Sequence, residues 1–195
     1  MLEKNIREQI NELIHQQVVP AVGCTEPMAV ALCTARATEL LGRRPEHISV
    51  LLSANILKNA MGVGIPGTGM IGLPIAIALG ALIGKSEYQL EVIKDLTPDT
   101  LEAGKTFISE NRIDVKLKEG ITEKLYIEIT CEAEGHRATA IISCAHTNIV
   151  FEEKDGKVLL DKMQPSTATE EKAPLCLSLK RVWEFATTSP VEEID

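Results

Sequence analysis

Ile6, Ile10, Leu13 and Ile14 recur at i, i+4, i+7 and i+8, the apolar stripe of an amphipathic helix that ends near Pro20. A second helix is expected from Thr25, with Thr25 as cap, Glu26 at the positive end and Pro27 in the first turn. Gly42 should stop it after Leu41. Residues 48–53 read as a strand and 54–60 as a short helix or turn. Residues 97–111 read as an exposed helix with Thr97 as cap. The period then changes to two. Leu125, Ile127, Ile129 and Cys131 alternate with Tyr126, Glu128, Thr130 and Glu132, as in a half-buried strand. Glu134-Gly135 turns the chain into a second, more apolar strand region over 138–150. Asp155-Gly156 is a hairpin signal, with a returning strand at 158–160. A polar stretch over 164–172 leads to a last helix over 175–185. Helices, then an antiparallel meander, then a helix predict an α+β fold over residues 1–195.

Residues 59–84 carry no charge, which raises the question of a membrane span. The continuous apolar part, residues 70–83, is 14 residues long and contains Pro74. A spanning helix needs roughly 20 residues. A buried central helix is the expected reading, with Gly72, Gly80 and Gly84 allowing close approach of another backbone.

Only 3% of residues are aromatic, so the core must be built from Ala, Val, Ile and Leu. The formal charge of -8 argues against a nucleic-acid binder, which needs a cationic face. The first 17 residues are charged throughout and unlike a secretory signal, so a cytoplasmic protein with reduced cysteines is expected. Those are Cys24, Cys33, Cys131, Cys144 and Cys176. Their wide spacing and odd number speak against a disulfide framework or a zinc finger. Cys24 and Cys33, nine residues apart on one helix, point to opposite faces. Hairpin pairing leaves Cys144 well past the partner of Cys131.

Three segments could carry chemistry. In the first, Gly23-Cys24-Thr25-Glu26-Pro27, a cysteine precedes a helix N-terminus. There the free N–H groups and the dipole are expected to lower its pKa, as suits a nucleophile or a metal ligand. A small buried cysteine is the plainer alternative. In the second, Asn55, Lys58 and Asn59 share one helical face and lead into the glycine-rich stretch 62–69. The backbone of that stretch could hold a carboxylate or phosphate. The apolar flanks suggest that these polar groups face a cavity rather than solvent. Gly62, Gly64 and Gly67 formally spell G-x-G-x-x-G, but no strand leads directly into them, and Pro66 removes an N–H. In the third, Ser143-Cys144-Ala145-His146-Thr147-Asn148, His146 is either a proton shuttle or a structural strand histidine. His15, His47 and His136 read as surface residues.

The segments VGCTEPMAVA (22–31), SANILKNAMGVGIPGTGMIGLPIAIALGAL (53–82) and SCAHTNIV (143–150), in this order, resemble the L-cysteine desulfidase family, also described as serine-dehydratase-alpha-like. Members of that family are longer, and the resemblance makes this chain their amino-terminal portion. It implies a 4Fe–4S cluster held by three cysteines, with Cys24 as the only ligand in this chain. Cys33, Cys131, Cys144 and Cys176 match no ligand. The implied reaction is β-elimination from L-cysteine, giving pyruvate, ammonia and hydrogen sulfide, or from L-serine, giving pyruvate and ammonia. The base would be Lys58, its pKa depressed by burial, or His146. Thr25, Glu26, Asn55, Asn59, Gly62, Gly64, Gly67, Thr68, Thr147 and Asn148 would line the substrate pocket. Expected partners are a small amino acid and a carboxy-terminal half or second subunit, with homo-oligomers possible and with neither nucleic acid nor membrane.

Competing readings are a pyridoxal phosphate-dependent dehydratase with Lys58 as Schiff base, a small membrane protein, and a non-catalytic assembly fragment. The last would pair with a second subunit that carries the remaining cluster ligands.

Overall fold

The structure is a computed structural model that describes residues 2–163 and 177–194. In chain order its helices are α1 (Lys4–Gln17), α2 (Thr25–Leu41), α3 (Ala54–Ala60), α4 (Leu73–Ile83), α5 (Pro98–Ser109) and α6 (Leu179–Thr188). Its strands are β1 (His47–Leu52), β2 (Gly64–Ile65), β3 (Met70–Ile71), β4 (Ile113–Leu117), β5 (Tyr126–Ala133), β6 (His136–Ser143), β7 (Ile149–Lys154) and β8 (Lys157–Asp161). The fold is α+β, as the order of patterns predicts. The chain forms two compact units, Ala21–Met163 and Met1–Pro20 with Gln164–Asp195.

The larger unit is a six-stranded sheet in the order β4-β1-β5-β6-β7-β8. Every neighbouring pair is antiparallel except β1 with β4, which run parallel. The sequence pattern predicts no strand over residues 113–117, where β4 lies. Ile113, Val115 and Leu117 alternate there with Asp114 and Lys116, but five residues give too short a pattern to stand out. The Glu134-Gly135 turn has both residues at positive φ, as a two-residue hairpin demands, and pairs Cys131 with Ala138. Asp155-Gly156 does the same between β7 and β8.

The expected single strand region over 138–150 is in fact two strands. Residues 144–148 leave the ladder in a tight turn closed by Ser143 N–H to Asn148 O (3.2 Å) and Asn148 N–H to Ala145 O (3.1 Å). Cys144 has φ +70, so the backbone cannot continue extended through it. His146 is therefore a turn residue and not a strand residue.

Helix α2 is buried along nearly its whole length and ends at Gly42, which is left-handed at φ 77. It lies between the sheet and α4. The Cys33 thiol donates to Ala140 O at 3.3 Å, and Thr38 Oγ1 lies 3.7 Å from Cys131 Sγ. On its other side α4 comes very close. A Cβ on Gly80 would lie 2.5 Å from Ala31 O, and one on Gly84 would lie 2.7 Å from Ala35 Cβ. The uncharged segment is thus a short hairpin, β2 with β3, followed by the buried helix α4. Among the described residues no helix is long and apolar enough to cross a membrane. Helix α5, expected to be exposed, buries Phe107 and packs Gly104 against Ile75 and Leu79 of α4. Arg36 clamps α2 to β7 by two bonds to Glu152, at 2.7 and 3.0 Å.

In the smaller unit α1 and α6 are both amphipathic and bury Ile10 and Phe185. Arg7 donates to Ser189 Oγ at 2.7 Å and Thr188 Oγ1 at 3.2 Å. The last helix starts at Leu179, capped by Ser178. The polar stretch 164–172, Leu175 and Cys176 lie outside the described residues.

Candidate functional site

The position of the site follows from α2. Because Thr38 faces Cys131 and Cys33 faces Ala140, the start of α2 points toward the sheet end formed by Tyr126 and Ser143. Ser53, which follows β1, receives its place at that same end. Its N–H donates to Tyr126 O (3.0 Å), and its hydroxyl donates to Lys124 O (2.8 Å). Ser53 Oγ also accepts from Ile56 N–H and caps α3. The starts of α2 and α3 and the 144–148 turn thus lie toward one end of the sheet, as the three segments would require.

Cys24, not Thr25, is the N-cap of α2; its side chain makes no bond to the helix amides. Its thiol donates to Glu26 Oε2 at 3.0 Å. Thr25 Oγ1 donates to the same oxygen at 3.3 Å, and Asn59 Nδ2 on α3 donates to Oε1 at 3.2 Å. Glu26 therefore joins the first and second segments. The glycine-rich stretch comes to the same place, since Pro66 packs on Gly23 and a Cβ there would sit 2.7 Å from Pro66 Cγ. Gly23 is at φ +87, so the position is closed to a side chain on two counts.

The electrostatics correct one expectation. The Cys24 thiol is raised above its ordinary value, first by burial and then by its bond to Glu26. Glu26 is held below the ordinary carboxylate range, first by the bond from Cys24. Burial, and then the carboxylate beside the sulfur, disfavour the thiolate, against the expectation that the helix N-terminus lowers its pKa.

Lys58 is exposed on α3 and, among the described residues, makes no hydrogen bond or ion pair. The burial on which its expected role as base depended is absent in this chain. Asn55 and Asn59 are exposed too, so the polar face of α3 meets open space rather than a closed cavity. Gly62, Gly64 and Gly67 are exposed. Thr68 is buried and turns its hydroxyl into its own loop, donating to Ile65 O (2.7 Å) while Met70 N–H donates to it (3.0 Å). Asn148 uses its amide on Ser143 O at 2.9 Å and so builds the turn. His146 and Thr147 are half-buried and make no side-chain hydrogen bond among the described residues. Of the other histidines, His47 lies 3.5 Å from Asp114 and His136 lies 2.9 Å from Asp155, both partly exposed.

Glu26 is the hub of an open group of hydrogen bonds between two helices. The sequence puts Glu26 at the positive end of α2 and expects both Glu26 and Asn59 in the pocket, but nothing local pairs the two across 33 residues. Among the described residues no group of three or more His, Cys, Asp or Glu is placed to hold a metal ion. Cys33 and Cys131 are fully buried in the core, and Cys144 is exposed in the turn.

Fold and site together define an α+β unit with a thiol–carboxylate–carboxamide group at the start of its central helix. The known proteins it is similar to are UPF0597 proteins. It is 64% identical over 194 residues to one from Phocaeicola vulgatus, covering 100% of this chain and 45% of the relative. It is 65% identical over 188 residues to UPF0597 protein BF3560 of Bacteroides fragilis, covering 96% and 44%. With a UPF0597 protein of Porphyromonas gingivalis it shares 46% over 200 residues, covering 100% and 46%. The chain thus spans less than half the length of the curated relatives it matches. No protein-family model and no solved structure matches it. These names overturn the assignment to the L-cysteine desulfidase or serine-dehydratase-alpha-like family. The UPF0597 proteins match the chain along its whole length.

Proposed function

We propose that this chain supplies one part of a lyase site that eliminates hydrogen sulfide from L-cysteine or water from L-serine. The observation that supports it is the hydrogen-bonded group Cys24–Glu26–Asn59, set at an open helix start against the glycine-rich hairpin. The group sets a sulfur, a carboxylate and a carboxamide side by side at that helix start. The open rim of Asn55, Lys58 and the exposed backbone at Gly64 and Gly67 offers donors to a substrate carboxylate.

A 4Fe–4S cluster would act as a Lewis acid on the leaving group when bound. By themselves the described residues do not fit it, because no group of three His, Cys, Asp or Glu that includes Cys24 is placed to hold a metal among them. In this reading the remaining ligands come from polypeptide outside the described residues, and the greater length of the relatives leaves room for them.

The test is anaerobic reconstitution with iron and sulfide of a polypeptide of the relatives' length that carries this sequence. Sulfide release from L-cysteine and pyruvate formation from L-serine are then followed. Cys24→Ala should lower turnover at least about 100-fold, the scale for loss of an essential group. Equal turnover in that variant, or in iron-free protein, would sink the reading.

A further inference from the structure

We propose that Glu26 is a positioning residue: it fixes the Cys24 thiol and couples it to Asn59 of α3. This rests on Cys24 being the sulfur that the site uses.

Both oxygens of the carboxylate are committed. Oε2 accepts from Cys24 and Thr25, and Oε1 accepts from Asn59. A carboxylate filled in this way has little capacity left for a substrate ammonium. Its backbone is fixed as the second residue of α2, where the free amides and the helix dipole favour a negative charge. Among the described residues Cys24 Sγ has no other hydrogen-bond partner. Without Glu26 its single side-chain torsion could move among three staggered wells. Asn59 makes its bond to Glu26 and none to Cys24, so any influence it has on the sulfur passes through the carboxylate.

The experiment uses the 195-residue chain and iodoacetamide, with neither iron nor an amino-acid substrate, so it can fail while the lyase reading stands, and the reverse. Alkylation of Cys24 at one fixed pH is read by peptide mass spectrometry, with Cys144 of the same molecule as reference. Releasing the thiol should raise the Cys24 rate about 10-fold in Glu26→Ala and about 3-fold in Asn59→Ala, and the double variant should match Glu26→Ala. Glu26→Gln, which loses the charge that disfavours the thiolate but keeps one oxygen to accept from Cys24, should raise the rate by only about 3-fold. The proposal is overturned if Asn59→Ala changes nothing, if its effect adds in full to that of Glu26→Ala, or if Glu26→Gln behaves like Glu26→Ala. Should Glu26→Ala unfold, signalled by labelling of buried Cys33, the Asn59→Ala and Glu26→Gln results decide alone.

Discussion

The Cys24 thiol donates to Glu26 Oε2 across 3.0 Å, a bond that lowers the carboxylate and adds to the burial that raises the thiol. Glu26 is held low, chiefly by that bond, and Cys24 is held high, chiefly by burial. A carboxylate whose folded pKa is depressed adds stability above its unfolded value, about 4.3, and loses it as the pH falls. Wild type should therefore lose more melting temperature between about pH 6 and pH 3 than Glu26→Gln does. Cys24 and Glu26 are only half-buried, so solvent screening holds the difference below about 1 kcal/mol. Parallel melting curves of the two proteins over that range would expose the error.

The buried thiols make a second prediction. Burial pushes Cys131 up to about 12 and Cys33 higher still. In the native chain at about pH 8, where an ordinary thiol near 8.5 is partly ionised, Cys33 and Cys131 should stay unlabelled while Cys144 reacts. A raised folded pKa adds stability that is complete below the unfolded value and is lost as the pH rises toward the folded one. Melting temperature should fall above about pH 8.5, and less steeply in Cys33→Ala. Labelling of Cys33 at the rate of Cys144 under native conditions would refute the burial argument.

Close packing of α4 on α2 supplies a third. Adding one methyl at Gly80 puts it 2.5 Å from Ala31 O, a backbone atom that cannot swing aside. Overpacking of this kind costs about 1–3 kcal/mol. Gly80→Ala should lower the melting temperature by about 2–12 °C, whereas Gly120→Ala, in open space though at positive φ, tests backbone strain alone. If Gly80→Ala melts no lower than wild type, the helices are not in contact as described.

Several of these features could be read from residues alone. Gly42 stopping α2, Thr97 capping α5 and the two x-Gly hairpins are local chemistry, decided within four residues. Of the glycines expected to allow close approach, Gly80 and Gly84 meet α2 and Gly72 meets Met61. Long-range terms were hidden. The parallel pairing of β4 with β1 depends on a partner 65 residues away, Ile48 with Ile113. Cys24 looked activated because the helix end was visible in sequence, while the competing carboxylate bond depends on side-chain direction. Lys58 looked buried because its flanks are apolar, but Ile56 and Ala60 take the inward face of α3 and leave Lys58 outside.

The seat of the glycine-rich hairpin gives the last prediction. Gly23 stands at φ +87 with Pro66 Cγ 2.7 Å from where a Cβ would lie, so Gly23→Ala meets two separate penalties. One is backbone strain, about 1–2 kcal/mol for an alanine in this region. The other is the clash with the proline ring, which Pro66→Ala removes. The two variants should therefore couple: Gly23→Ala/Pro66→Ala should be more stable than the sum of the single effects predicts, by about 1 kcal/mol, while the strain part persists. Denaturant melts of the four proteins measure this directly. Strict additivity would mean that Pro66 does not rest on Gly23, and the hairpin would then have no structural reason to stand beside Cys24.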